Sequence, residues 1–176
     1  MMRAKYRKAT LADLPAVTAI YDGIHTMEEA GLAEIGWRRG VYPTEETARD
    51  ALHRGDLYVT EEDGTVFAAA IINAIEPEAY AGGAWQVPAK TGDILVLHTL
   101  VVDPSAEGRG YGRAFVAFYE SLAKEMGRLC LRMDTNEKNL RARRMYEKLG
   151  YREIGIVPTV FNGIPGVQLV LLEKKL

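Results

Sequence analysis

The chain has 176 residues, 48% hydrophobic and 26% charged, which suits one domain spanning 1–176 with a sizeable core. Its formal net charge is -2 with no long run of one sign, which argues against a nucleic-acid partner held by bulk charge. No apolar run reaches membrane-spanning length, and the N-terminal MMRAKYRKAT has no apolar h-region, so a cytoplasmic protein with no membrane partner is the expectation.

Residues 3 to 9 read as a first strand. Thr10 then stands as an N-cap with Asp13 three residues on, a capping-box arrangement. Leu11, Leu14, Val17, Ile20, Tyr21 and Ile24 recur at helical spacing, with Pro15 in the tolerant first turns, so a helix is expected to about Ile24. Residues 25 to 43 mix glycines, acids, Trp37, Tyr42 and a proline; they suggest a short helix over Met27 to Ala30 and then a loop. Thr44 and Thr47 cap a helix over Glu45 to Arg54, and Gly55 ends it as a C′ glycine. Asp56 to Glu61 and Thr65 to Ile75 form a hairpin about Glu62-Asp63-Gly64, since Asp-Gly supplies the positive φ that such turns need. Alanines in the second strand imply a face crowded by a helix.

Residues 76 to 92 form a long connection that offers Tyr80 and Trp85 either to a ligand or to packing. Asp93 to Val102 is nearly continuously apolar, as a central strand buried on both faces would be. A glycine-rich loop follows, and then a helix from about Gly110 to Met126, with Tyr111, Ala114, Phe115, Phe118, Leu122 and Met126 as its buried stripe. Leu129 to Met133 is the next strand. The single cysteine, Cys130, excludes an internal disulfide and reads as a buried structural thiol. Asp134 to Lys138 reads as a polar junction before a helix over Leu140 to Leu149. Strands over Tyr151 to Val157 and Val167 to Glu173 flank a turn holding Pro158 and Asn162-Gly163. That last strand, if exposed, would let the chain pair as a homodimer.

The stretch His98 to Gly112, HTLVVDPSAEGRGYG, carries the chemistry. Its glycines let the backbone approach an anion, consecutive N–H groups point at it, and the helix dipole favours negative charge there. The spacing is neither the Walker pattern, which needs Lys-Ser or Lys-Thr, nor the dinucleotide pattern, whose third glycine would fall on Arg113 or Phe115.

Two motifs together resemble the GNAT superfamily of N-acetyltransferases. One is LVVDPSAEGRGYG, Leu100 to Gly112, similar to the family's strand and pyrophosphate loop. The other is NLRARRMYEKLGY, Asn139 to Tyr151, similar to its Asn-x-x-Ala-x-x-x-Tyr-x-x-x-Gly-aromatic pattern. One helix and one short strand separate them. The resemblance implies an α/β (α+β) fold: a mixed, mostly antiparallel sheet of about seven strands flanked by about four helices. It implies acetyl-CoA as acetyl donor, an amine of a small molecule or peptide as acceptor, and direct attack in a ternary complex.

By the same resemblance, Leu100, Val101 and Val102 would pair with the pantetheine arm and polarise the thioester. Glu107, Gly108, Arg109, Gly110, Tyr111, Gly112 and Arg113 would form the pyrophosphate loop. Glu107 departs from the family's usual Arg or Gln; it would point away, with Arg109 and Arg113 supplying positive charge. Arg141, Arg143 or Arg144 would either serve only as surface charge or meet the 3′-phosphate. Asn139 or its neighbour Asn136 would hold the pantetheine arm, and Tyr146 would protonate the departing thiolate. Asn139, Ala142 and Tyr146, at i, i+3 and i+7, share a helix face.

The base is open. Where many family members carry a strand glutamate, this chain has His98, which titrates near neutrality. Asp93, Glu28 and Glu29 compete with it for that role, and His25 and His53 read as structural. Glu28, Glu29, Glu34, Glu76 and Glu78 would either make the acceptor mouth acidic or form a solvated charged face, and Trp37, Tyr42, Tyr80 and Trp85 would frame the acceptor. No metal-ligand spacing is present, so no metal is expected. A non-catalytic acyl-CoA-binding module is the alternative to an enzyme.

Overall fold

The computed structural model describes residues 4–176. In chain order the elements are β1 (Lys5–Lys8), α1 (Leu14–Glu29), α2 (Glu45–Arg54), β2 (Leu57–Glu62), β3 (Thr65–Asn73), β4 (Ile94–Val102), α3 (Tyr111–Glu125), β5 (Cys130–Asn136), α4 (Leu140–Lys148), β6 (Arg152–Phe161) and β7 (Ile164–Lys175). The seven strands form one sheet in the order β1-β2-β3-β4-β5-β7-β6. Every pair is antiparallel except β4 with β5. The expected element order and the seven-strand, four-helix mixed fold are therefore what the chain adopts. Residue 3 of the expected first strand lies outside the described residues.

Side-chain alternation divides the sheet between two layers. Ala68, Ala70 and Ile72 of β3 pack with Leu95 and Leu97 of β4 and with Phe115, Tyr119 and Tyr146 from α3 and α4. The intervening Ala69 and Ile71 pack with Val17, Ile20 and Tyr21 of α1 and Ala48 and Ala51 of α2. The alanines of β3 thus meet helices on both faces.

The early boundaries follow the caps. Thr10 and Asp13 form a capping box, the Thr10 N–H donating to Asp13 Oδ2 at 2.7 Å. Asp13 also binds Arg7, at 2.7 and 3.0 Å, and that guanidinium holds its carboxyl down at about 2. Thr44 caps α2, and Gly55 leaves it at φ +74°.

Several expectations need correction. No break occurs at Ile24: α1 runs on to Glu29, and Met27 to Ala30 are its last turn and cap rather than a separate helix. His25 is buried there with Nε2 2.9 Å from the Pro43 carbonyl, which ties the helix to the following segment. β5 does not stop at Met133 but continues through the polar residues to Asn136, because β7 pairs with it over that whole length. β6 passes through Pro158, which an edge strand tolerates because it has a side with no partner. The turn between β6 and β7 is only Asn162-Gly163, both at positive φ. The last strand, β7, lies between β5 and β6, so it has no free edge and offers none to a second copy.

The register of the central strands opens the sheet. β4 pairs with β5 only over Ile94–Leu97 and Cys130–Met133. Beyond that point β4 carries a bulge against β3, between the pairs Ile71–His98 and Ala69–Val101, with Thr99 at φ +51°. The two parallel strands part there, leaving one edge of His98–Val102 without a strand on it.

Candidate active site

A cleft of about 1660 Å³ runs through this opening. Its lining includes Leu97 to Val102 of β4, the loop from Glu107 to Arg113, Asp134 to Asn136 of β5, and Asn139, Ala142 and Tyr146 of α4. That volume exceeds the few hundred Å³ that one drug-sized ligand needs.

At one end lies the glycine loop. Gly108 and Gly110 sit at φ +79° and +85°, a conformation that only glycine adopts without strain. Ser105, Ala106, Glu107 and Arg109 spend their N–H groups on bonds within the loop. The N–H groups of Gly108, Gly110, Tyr111, Gly112 and Arg113 have no acceptor among the described residues. Five free donors at the start of the 15-residue α3 make an anion cradle.

The charged side chains around the loop divide. Arg109 is turned out of the cleft: its guanidinium stacks 5.0 Å from the Phe67 ring and 5.1 Å from Tyr111, and reaches Glu62 at 3.3 Å. That corrects the expectation of a phosphate-facing arginine. Glu107 points at Arg141 and forms an ion pair with it. Arg113, Arg141, Arg144 and Lys148 surround a shallow depression beside Gly108, and the last three lie at i, i+3 and i+7 on α4. Arg143 is engaged elsewhere, with Glu153 at 2.7 and 2.9 Å and the Glu137 carbonyl.

At the centre, Tyr146 is 6% exposed and its hydroxyl has no hydrogen-bond partner among the described residues. Burial, with Asp134 nearby, raises its pKa and keeps the phenol protonated. Asn139 caps α4, its Oδ1 accepting from the Ala142 N–H at 3.2 Å. Asn136 Oδ1 accepts from the Lys138 N–H at 3.0 Å, and both asparagines line the cleft.

His98 lines the cleft with Nε2 2.8 Å from Asn73 Oδ1. Asn73 Oδ1 accepts from the Ile75 N–H at 2.9 Å, and its Nδ2 donates to Asp56 at 3.0 Å. The amide orientation is thereby fixed, so Nε2 of His98 carries the proton and Nδ1 keeps its lone pair. Burial pushes the imidazole down to about 4, so it is neutral at pH 7.

Asp134 was missed by sequence reasoning, which took it for part of a polar junction. It sits on β5 with Oδ2 accepting from the buried Tyr80 hydroxyl at 2.6 Å. Burial outweighs that bond and lifts its carboxyl from 3.8 to about 6. The three carboxylates that compete with His98 for the role of base are occupied. Glu28 accepts from the Ile35 and Gly36 N–H groups at 2.7 and 2.8 Å, Glu29 binds Arg39, and Asp93 caps a turn at the far end of β4. Of the four aromatics, Trp37 and Tyr42 line the cleft; Tyr42 meets Thr99 through its hydroxyl and stands edge-on to Phe161 at 5.7 Å. Tyr80 and Trp85 instead pack under the connection, with the Arg132 guanidinium 4.1 Å from the Trp85 ring.

A family model described as the acetyltransferase (GNAT) family matches residues 22–151. The chain belongs to the GNAT acetyltransferase family. No curated protein sequence matches it. Among solved structures it is similar to a GNAT-family acetyltransferase of Streptococcus agalactiae, with a TM-score of 0.80 and 23% identity over 98% of this chain and 95% of the other. A GCN5-related N-acetyltransferase of Kribbella flavida matches with a TM-score of 0.71 and 24% identity over 98% of each chain. A protein described as an acetyltransferase of Salmonella typhimurium, solved with its cofactor acetyl-CoA, matches with a TM-score of 0.68 and 19% identity over 98% and 93%. Among the described residues of this acetyltransferase, no helix is long and apolar enough to cross a membrane.

Proposed function

We propose that this acetyltransferase moves an acetyl group from acetyl-CoA to a primary amine, by direct attack in a ternary complex. The observation that carries the proposal is that the five free N–H groups of the glycine loop and the unpartnered Tyr146 hydroxyl open into one cleft. The neighbour solved with acetyl-CoA supports the choice of donor.

Bound acetyl-CoA would present the acetyl group as a thioester. The N–H groups of Gly108 and of Gly110 to Arg113 hold the pyrophosphate, and Arg113, Arg141, Arg144 and Lys148 provide for the 3′-phosphate. The open edge of β4, Leu100 to Val102, takes the pantetheine amides as a neighbouring strand would, and its N–H groups polarise the thioester carbonyl. The side-chain amide of Asn139 or Asn136 adds a further donor there.

The amine must lose a proton to attack. Asp134, at about 6, is ionised at neutral pH and close enough to it to hold that proton, the condition for an effective base. His98 at about 4 binds a proton too weakly to keep it, and instead offers Nδ1 as an acceptor that orients the amine. Tyr146, with its proton retained, donates from Oη to the departing thiolate. The products are an amide and a free thiol.

The test has two parts on one sample. A ligand about a hundredfold above its dissociation constant stabilises a fold by about 2.7 kcal/mol, so acetyl-CoA should visibly raise the melting temperature. Thiol release against a panel of amines should then follow. Stabilisation with no release from any amine would favour the acyl-CoA-binding module; no stabilisation would remove the cofactor site itself.

A further inference from the structure

The walls of the acceptor side select by charge and by surface type. The segment between α1 and α2, α2 itself and the connection from β3 to β4 contribute four carboxylates, Glu34, Glu46, Asp50 and Glu78. None forms an ion pair among the described residues, whereas Glu28, Glu29 and Glu76 are all engaged. Among the described residues the cation on those three segments is Arg54, already paired with Asp56 at 2.8 Å, while Lys138, at the junction of β5 and α4, lines the cleft outside them. Among the described residues, those three segments offer no uncompensated positive charge to a carboxylate.

The rim is apolar. Nine large apolar side chains are exposed among the described residues, and four of them, Leu32, Val41, Ile75 and Val160, line the acceptor side of this one cleft. Trp37, Tyr42 and Phe161 continue that surface inward as an edge-to-face series. Exposed apolar groups gathered at a groove mark a contact site for an apolar ligand.

The floor asks for donors. The fixed Asn73 amide leaves His98 Nδ1 as a lone-pair acceptor, and the Asp134 carboxylate accepts as well. The unpartnered hydroxyl of Tyr146, a residue only 6% exposed, belongs to the same cleft lining.

From this we infer that the acceptor is a primary amine on an apolar or aromatic body with no carboxylate of its own, and that a free amino acid is rejected. The inference rests on the proposed N-acetyl transfer and names its substrate class. Four unpaired carboxylates repel an acceptor carboxylate and attract an ammonium group. The apolar rim disfavours small hydrophilic diamines, which satisfy the charge but leave that surface wet.

A matched series isolates each element: phenylalanine, phenylalaninamide, 2-phenylethylamine and putrescine. Thiol release with acetyl-CoA gives kcat/KM, and calorimetry on the coenzyme A complex gives affinity for the same four. Expected are values for the amide and for phenylethylamine at least tenfold above those for phenylalanine and putrescine. The double substitution Glu46→Lys with Asp50→Lys, on an exposed helix face, should shrink the preference for the amide over the acid by about tenfold while acetyl-CoA still stabilises the fold. Turnover in which phenylalanine equals its amide, or a preference untouched by the double substitution, overturns the inference. So does failure of all four to bind. The expected order of affinities without thiol release would overturn the transferase proposal and leave the selectivity standing.

Discussion

The two ends of the cleft are built from different materials. The proposed cofactor end is mostly backbone: five N–H groups on a loop of six consecutive residues, plus an open strand edge, with basic side chains only around the depression beside the loop. The acceptor end is side chains from distant parts of the chain: Trp37, Tyr42, Glu46, Asp50, His98, Asp134 and Phe161. In the proposed reading, backbone groups recognise the pyrophosphate and amides of acetyl-CoA and tolerate wide variation in side chains, while side chains set the acceptor. The first end should therefore fail mainly when main-chain geometry is damaged, and the second should respond to single functional groups.

The largest effect is expected at the junction of the two. Asp134→Asn should lower kcat/KM by roughly 10²–10⁴-fold, the range for a lost general base. The wild-type rate should rise with pH through about 6, and the substitution should abolish that limb. His98→Ala should instead lower the rate by a similar factor at every pH from 5.5 to 8, because His98 at about 4 does not titrate in that window. A limb near 6 that survives Asp134→Asn and vanishes with His98→Ala would exchange the two roles. Stability gives an independent reading. The Asp134 carboxyl binds its proton more tightly folded, at about 6, than unfolded, at 3.8, so stability falls as pH rises between those values. The cost above that window is at most about 3 kcal/mol, since the residue keeps one side on the cleft. Asp134→Asn should therefore raise the melting temperature by several degrees at pH 8 and leave it unchanged at pH 4.

Tyr146→Phe comes next. The ring sits among Tyr119, Tyr151 and Leu97, and the hydroxyl bonds nothing, so the phenylalanine ring keeps the packing. Turnover should fall by about 10²-fold, with the stabilisation by acetyl-CoA unchanged. Equal losses in turnover and in acetyl-CoA binding would mean that the ring, and not the hydroxyl, matters.

At the backbone end, Gly110→Val places a β-branched residue at φ +85°. Nothing lies within 4 Å of the added Cβ, so the penalty is conformational, about 1–3 kcal/mol. Part of it should appear as a tenfold or greater loss of acetyl-CoA affinity by calorimetry, with the ranking of amines preserved. A changed ranking would show that the two ends are not independent.

The same division explains what was legible in the sequence. The loop could be read because its requirement is local: positive φ at Gly108 and Gly110 leaves its mark as glycine. Tyr146 and Asn139 are singled out by the family resemblance, with helical spacing placing them on one face, and both line the cleft. Asp134 could not be read, because its altered basicity comes from burial under Tyr80, 54 residues away in the chain. The bulge at Thr99 was equally hidden in ILVLHTLVV, where a continuous apolar run gives no sign that β4 leaves β5 at Leu97. Glu46 and Asp50 draw no functional reading from the sequence, because only the fold sets that face of α2 along the cleft. Tyr80 and Trp85 were read in the right segment, but a buried guanidinium and a carbonyl hold them below it.

The smallest effect is expected at Glu107, where the two materials meet. Its carboxylate holds Arg141 at the mouth of the loop, and both side chains are largely exposed. A carboxylate beside a cradle of N–H groups repels the anion they bind, and it also occupies a cation that would otherwise turn toward a phosphate. Glu107→Gln removes both effects. Acetyl-CoA should bind two- to threefold more tightly at low ionic strength, and the gain should disappear by 0.5 M salt, where the Debye length drops to about 4 Å. Arg141→Gln in the same background should cancel it. Weaker binding by Glu107→Gln would mean that the ion pair shapes the loop itself, and the backbone end would then depend on a side chain after all.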